Sequence, residues 1–419
     1  MRVGIITSYP EDGVRKSGIA EYSRALIEPL GEVPDDITIF ADHRPGTSFF
    51  AKNTVERLAA NMLLIRCWRF GALAPFMLYR TLRRANLDAL HIEYDVYLYG
   101  GVIAALILPL LLKLLAIRRK TLITTTLHGV VPLSAISREM LRENGFVLPF
   151  SRIGKAGFRL IYWLFRFSSD RFIALEAELS NVLCEDYGYP RPHTFTVECP
   201  NLMEERKASD LARNVSPPVR KKKRLLYFGY ASSYKGLSIL LEAFRIARRK
   251  DPEIELNLVA GRHPRLAGQP KYEAFYGALR ELAAEVGAKH YDFLKERDLA
   301  QLLADSDAVI LPYTKMYGAS GPLNIAIAAR KPVLVSRVVY FHGARPGQVF
   351  EPTAESCAAA ILRFFSGMRF EIENDLEALA ASRDNRKIAA INHRIRCGAD
   401  PITLPSMASV RDSDRVMRA

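Results

Sequence analysis

The chain is poor in three things, and each absence narrows its class. Five cysteines stand alone among 419 residues (Cys67, Cys184, Cys199, Cys357 and Cys397). Isolated and odd in number, they offer neither a zinc cluster nor a disulfide framework, which suits a reducing cytoplasm. No uninterrupted apolar run reaches the ~20 residues of a conventional membrane-spanning helix, and Met1–Tyr9 runs straight into a Pro/Gly loop instead of forming a cleavable signal peptide. Acid is also scarce: 45 Asp and Glu face 59 Lys and Arg, a net charge of +14 that points to an anionic partner. What the chain has in plenty is apolar side chains, 49% of the total, enough to build buried cores. At roughly 100–200 residues per domain, the length predicts two or three domains.

Short apolar runs alternate with helical patterns almost to the end, which predicts parallel, doubly wound sheets. Expected strands are Val3–Ser8, Ile37–Ala41, Ala89–Glu93, Leu122–Leu127, Phe172–Leu175 and Thr194–Glu198, then Arg224–Gly229, Glu255–Ala260, Ala308–Pro312 and Pro332–Ser336. The polar stretch 201–222, with Pro217-Pro218, reads as a linker. It separates a domain at 1–200 from one at 223–367, and the run Arg220–Arg224 reads as part of its solvated end. Residues 368–419 read as a polar tail, partly a docked helix and partly disordered. One segment departs from a plain α/β pattern. Gly101–Ile117 is apolar except for Lys113 and precedes Arg118-Arg119-Lys120. It fits a buried crossover helix, and it also fits a helix lying on an anionic membrane surface. Residues 51–170 hold 17 basic and 7 acidic residues, a local excess of +10. With no nucleic-acid motif beside that charge, the membrane is the better anionic partner and nucleic acid is not expected.

Candidate chemistry sits where strands enter loops, the place where doubly wound sheets bind ligands. Tyr9–Glu21 carries Gly13 and Gly18 ahead of a helix, and glycine there lets an anion approach unpaired helix N–H groups. Thr124-Thr125-Thr126-Leu127-His128-Gly129 places His128 at a strand end, able to bond a sugar hydroxyl or simply the backbone. His91-Ile92-Glu93 ends another strand, with one of the pair expected to line the inter-domain cleft; without Pro-Cys-x-x-Cys it is no deaminase zinc motif. In Arg224–Gly236, Gly229 ends a strand and Lys235 opens a helix. A cation is disfavoured at a helix start by the helix dipole, unless a pyrophosphate is meant to sit there. Ser320-Gly321-Pro322-Leu323 offers a hydroxyl cap and bare backbone donors at another helix start. Asp305-Ser306-Asp307 reads as turn chemistry rather than a metal motif.

Taken together, the first loop with Gly18, Thr126-Leu127-His128-Gly129, Phe228-Gly229 through Lys235-Gly236, and Leu311-Pro312-Tyr313 through Ser320-Gly321-Pro322-Leu323 to Lys331-Pro332-Val333 resemble the family 4 retaining glycosyltransferases. The resemblance spans about residues 1–365. It implies the GT-B fold, two Rossmann-like doubly wound α/β domains facing across a cleft, and a hexose moved with retention from a nucleoside-diphosphate sugar. The acceptor would be lipid-linked or a glycan, without metal or cofactor. On that resemblance His128 lies beside the transferred sugar, and Gly18, Gly229, Lys235, Ser320, Gly321 and Leu323 bind the donor. The implied location is the cytoplasm, with peripheral contact at the inner face of the membrane. Three positions depart from the family pattern: Tyr317 and Ile325 replace its two glutamates, and Tyr230 stands where an arginine often follows the glycine. Tyr317 and Ile325 support an alternative, a non-catalytic GT-B protein that binds a nucleotide or glycan within a glycosylation complex.

Overall fold

A computed structural model describes residues 1–10, 18–44, 46–48, 51–143, 150–202, 223–264, 266–339, 341 and 343–400. Gly13 and the linker residues 203–222 lie outside the described residues, as does 401–419.

The first sheet has eight strands: β1 (Arg2–Ile6), β2 (Asp36–Asp42), β3 (Thr54–Ala59), β4 (Met62–Trp68), β5 (Ala89–Tyr94), β6 (Leu122–Leu127), β7 (Arg171–Ala174) and β8 (Thr194–Thr196). Their order is β3-β4-β2-β1-β5-β6-β7-β8, parallel throughout except for the antiparallel β3–β4 pair. Alternate side chains feed two cores, because a strand's side chains point to opposite faces. Ile6, Phe40 and Ile92 enter one with Leu78, Leu108, Leu112 and Phe165 of the covering helices. Val3, Ile5 and Ile39 enter the other, with Tyr22 and Leu26 of the helix Gly18–Ile27. All six residues of β5 are buried, as expected of a central parallel strand.

The second sheet orders β11 (Lys289–Tyr291), β10 (Ile254–Gly261), β9 (Lys223–Tyr230), β12 (Ala308–Leu311), β13 (Val333–Ser336) and β14 (Val349–Phe350), all parallel. The basic run expected in the linker is in part structural. Lys223 and Arg224 open β9, and Lys223 Nζ lies 2.5 Å from Asp251.

The segment expected as a polar tail contains the helices Arg369–Ser382 and Asn385–Arg396. Asp384 caps the second, its side chain accepting from the Lys387 amide at 2.9 Å. That helix crosses to the first sheet, where Ile388, Ala389 and Ile395 join the core around β1 and β2. One polar contact there ties it to the first domain, as His393 Nε2 bonds Asp35 at 2.7 Å.

The apolar segment is the crossover helix Val102–Arg119 between β5 and β6, but only half of it is covered. Ala104, Ala105, Leu108, Leu112 and Leu115 are buried, while Ile103, Leu110, Leu114 and Ile117 are exposed. Among the described residues no helix is long and apolar enough to cross a membrane.

Candidate active site

Local sequence builds the second-domain half of the site. β9 runs into a loop whose Ser233–Lys235 turn ends on Gly236, with φ at +66°. A Cβ on Gly236 would lie 1.8 Å from the Pro312 carbonyl oxygen, so only glycine permits this loop to close on the end of β12. Closure puts the Lys235 ammonium 3.6 Å from the centroid of the Tyr313 ring. The Tyr313 hydroxyl lies 3.1 Å from Ser320 Oγ, so this one tyrosine joins the lysine loop to the serine/glycine loop. Ser320 caps the helix Gly321–Ala328, accepting from the Leu323 amide at 3.3 Å. Leu323 itself is buried in the core with its amide taken by that cap, whereas the Cα of Gly321 faces open space. Gly229 lies at the end of β9, close to Pro322 of the same helix start.

Lys235 is half-buried as a residue, with its ammonium end enclosed, and among the described residues it has no carboxylate partner. Burial pulls its pKa down to about 7. An unpaired cation costs stability when removed from water, so it marks a site built for an anion that comes from outside.

The first-domain half is organised around Glu93. Both His91 and Glu93 are almost wholly buried, so neither lines the cleft as expected from sequence. Glu93 instead gathers three donors: His91 Nε2 at 2.9 Å, His128 Nε2 at 2.9 Å and Arg396 Nη2 at 3.0 Å. Burial opposes ionisation of Glu93, yet His91 and His128 outweigh it and hold the carboxyl well below the usual carboxylate range. Arg396 acts in the same direction. Burial, then the Arg396 charge, pulls His91 down to about 4, so it stands neutral at pH 7. An ionised carboxylate can only accept, so each imidazole must carry its proton on Nε2. The Tyr22 ring meets His128 edge-on, with centroids 4.6 Å apart, placing the helix that begins at Gly18 against the histidine.

The two halves touch directly. Gly129 and Gly318 form an antiparallel bridge, and the Val130 amide donates to the Tyr317 carbonyl at 2.7 Å. A Cβ on Gly318 would come within 2.5 Å of the His128 carbonyl oxygen, so glycine is required at this approach. The contact brings His128 to the loop that ends in Ser320-Gly321. Tyr317 packs against the first-domain core, and Ile325 packs against the core of its own domain. Neither offers a carboxylate. A shallow hollow of about 330 Å³ opens beside this contact, lined by Ala135, Lys315, Met316, Tyr317 and Val338.

Sequence reasoning gave Tyr313 no role of its own, expected of Glu93 at most a place lining the cleft, and missed Arg396. Tyr313 stood inside a recognised strand-to-loop segment and Glu93 two residues after a strand-end histidine. Arg396 gave no local signal, because its partner lies 303 residues away.

Two doubly wound domains in contact through strand-end loops are the architecture of a GT-B protein. Residues 16–200 match the family described as Glycosyltransferase Family 4, and residues 222–366 match Glycosyl transferases group 1. The chain therefore belongs to the family 4-type glycosyltransferases. It is similar to a GDP-mannose:glycolipid 4-beta-D-mannosyltransferase of Xanthomonas campestris pv. campestris, with 27% identity over 175 residues. That match takes in 41% of this chain and 47% of the relative, so it spans about half the relative's length. Among solved structures, sucrose-phosphate synthase from Thermosynechococcus elongatus superposes with a TM-score of 0.70 at 14% identity, covering 94% of this chain and 98% of that one. An E. coli trehalose-6-phosphate protein bound with UDP-2-fluoro glucose gives 0.68 at 11% identity, covering 96% and 100%. These likenesses establish the shared fold.

Proposed function

We propose that this protein transfers a hexose from a nucleoside-diphosphate sugar to a lipid-linked or glycan acceptor, with retention and without a metal ion. The observation that carries this reading is Lys235, a cation enclosed against Tyr313 with no carboxylate partner among the described residues. A diphosphate would supply the missing charge, while the backbone of Ser320 and Gly321 at the helix start would donate to it. In the reaction the anomeric carbon–oxygen bond to the diphosphate breaks and a bond to an acceptor hydroxyl oxygen forms. With retention, the departing diphosphate takes the acceptor's proton. Lys235 and the helix N-terminus stabilise the charge that develops on it, the task a metal performs elsewhere. His128 stands beside the sugar.

One observation favours a second stereochemical outcome. His128 Nε2 bonded to a buried carboxylate is the arrangement of a general base and its orienting group. The mannosyltransferase relative is named for a beta linkage. Inversion would send the acceptor proton to His128 instead of the diphosphate. The anomeric configuration of the glycoside product, read by NMR, decides between the two.

The proposed setting is the inner face of the membrane. The helices Ala74–Leu82, Val102–Arg119 and Ser151–Ser168 pack side by side, exposing Phe76, Ile103, Leu110, Leu114, Trp163 and Phe167. Lys113 lies 4.9 Å over the Phe167 ring where two of these helices meet. Exposed apolar side chains fringed with cations suit an anionic lipid surface. Co-sedimentation with phosphatidylglycerol vesicles at low salt is expected, and its absence would refute the membrane reading.

Calorimetry and donor hydrolysis with GDP-mannose, UDP-glucose and ADP-glucose test the enzymatic reading. One donor should bind, and K235A should weaken its binding tenfold or more. Binding without hydrolysis or transfer would favour the non-catalytic alternative, and no binding at all would sink the donor site.

A further inference from the structure

We propose that Glu93 and Arg396 are positioning residues for His128: the C-terminal helix delivers a guanidinium that fixes the buried carboxylate, and the carboxylate holds the imidazole with Nδ1 left for the substrate. The proposal rests on the reading of His128 as the group beside the transferred sugar.

Arg396 is a poor device for stability alone. It is 1% exposed, its Nη2 bonds Glu93, and its Nε and Nη1 are buried without a hydrogen-bond partner among the described residues. A buried ion pair with unmet donors is commonly outdone by apolar residues of similar volume, so its stability contribution does not account for it. Its effect falls instead on one atom pair. Glu93 Oε1 receives Arg396 and His91, leaving Oε2 to receive His128. This division sets the His128 tautomer, and Nδ1 has no hydrogen-bond partner among the described residues.

The position of Arg396 in the chain adds a second link. Arg383, also 1% exposed, lies just before the same helix. It bonds Asn324 of the helix Gly321–Ala328, and its Nε stands 3.5 Å from Glu198 of the first domain. The segment 383–396 therefore grips the donor-loop helix at one end and the support of His128 at the other. At ~1.5 Å per residue its helix is a rigid spacer of about 18 Å. The C-terminal helix thus ties the placement of His128 to the second domain.

The test uses full-length protein labelled with ¹⁵N-histidine, with the His128 resonance assigned by its loss in H128Q. Wild type should show His128 as the Nε2–H tautomer. R396M should turn this into a tautomer mixture and lower turnover at least tenfold, with donor Kd changed less than twofold. R396K, which keeps the cation, should hold the tautomer and most of the turnover. An unchanged His128 tautomer in R396M overturns the proposal, as does an equal loss of donor affinity and turnover. Should R396M not fold, E93Q is the second arm. Its amide has one acceptor oxygen for two imidazoles, so the His128 tautomer should scramble, and an intact Nε2–H tautomer overturns the proposal. If wild type turns over no donor, the proposed function fails and the imidazole spectrum still decides the role of Arg396.

Discussion

The two halves of the site follow opposite electrostatic rules. Around His128 the protein supplies its own countercharges: the Glu93 carboxylate meets two imidazoles and a guanidinium in a closed core. Around Lys235 it supplies an aromatic ring and a helix start, with no carboxylate partner among the described residues. The first half is set before any ligand arrives. The second carries a charge whose compensation must come from the donor. A charge that the fold neutralises organises the site, whereas a charge left unneutralised recruits.

Removing each charge should therefore have opposite consequences. The largest effect is expected from E93L, which strands the Arg396 guanidinium in the core and should cost about 3–5 kcal/mol of stability, read by urea unfolding. A near-neutral result would erase the distinction between the halves. H128A should lower turnover about a hundredfold while donor Kd stays within threefold, because the lost contact belongs to the reacting centre. K235M should weaken donor binding roughly tenfold to a hundredfold, the worth of a charge-assisted contact of about 1.5–3 kcal/mol. Its unfolding midpoint should hold or rise, since an enclosed cation is gone. A fall matching that of E93L would mean Lys235 is structural.

The smallest effect is a pH dependence. Lys235 titrates near 7 in the free protein, and a bound diphosphate raises that value, so binding takes up a proton above pH 7. Donor affinity should decline as pH rises through about 7, and K235M should flatten the profile. Stability should move the other way. The folded value lies below the ordinary lysine value, so the unfolded chain binds more protons above pH 7 and stability rises with pH there.

Much of the fold was readable because its rules are local. β5, β6, β9 and β12 are short, apolar, bounded by turns and followed by helical periodicity. β3 was missed because it is an exposed antiparallel edge strand without an apolar run, and β11 and β14 because they are two or three residues long. β4 was missed although residues 62–65 are an apolar run. The docking of Asn385–Arg396 was obscured by its composition. Asn392, His393 and Arg396 read as solvent-facing, yet the first domain buries them.

The sequence by itself determined the two parallel sheets, the loops that end in His128, Lys235 and Ser320-Gly321, and the basic, apolar character of residues 51–170. Each follows from residue type and spacing over about ten positions, the range across which turns, caps and strand periodicity act. Only the tertiary structure decided that Tyr313 bridges the lysine and serine loops. The same holds for Gly318 meeting His128 across the cleft, and for an arginine near the end of the described chain supporting a glutamate 303 residues earlier. Such contacts carry no local signature, because a buried charge finds its partner by position in the folded core and not by distance along the chain.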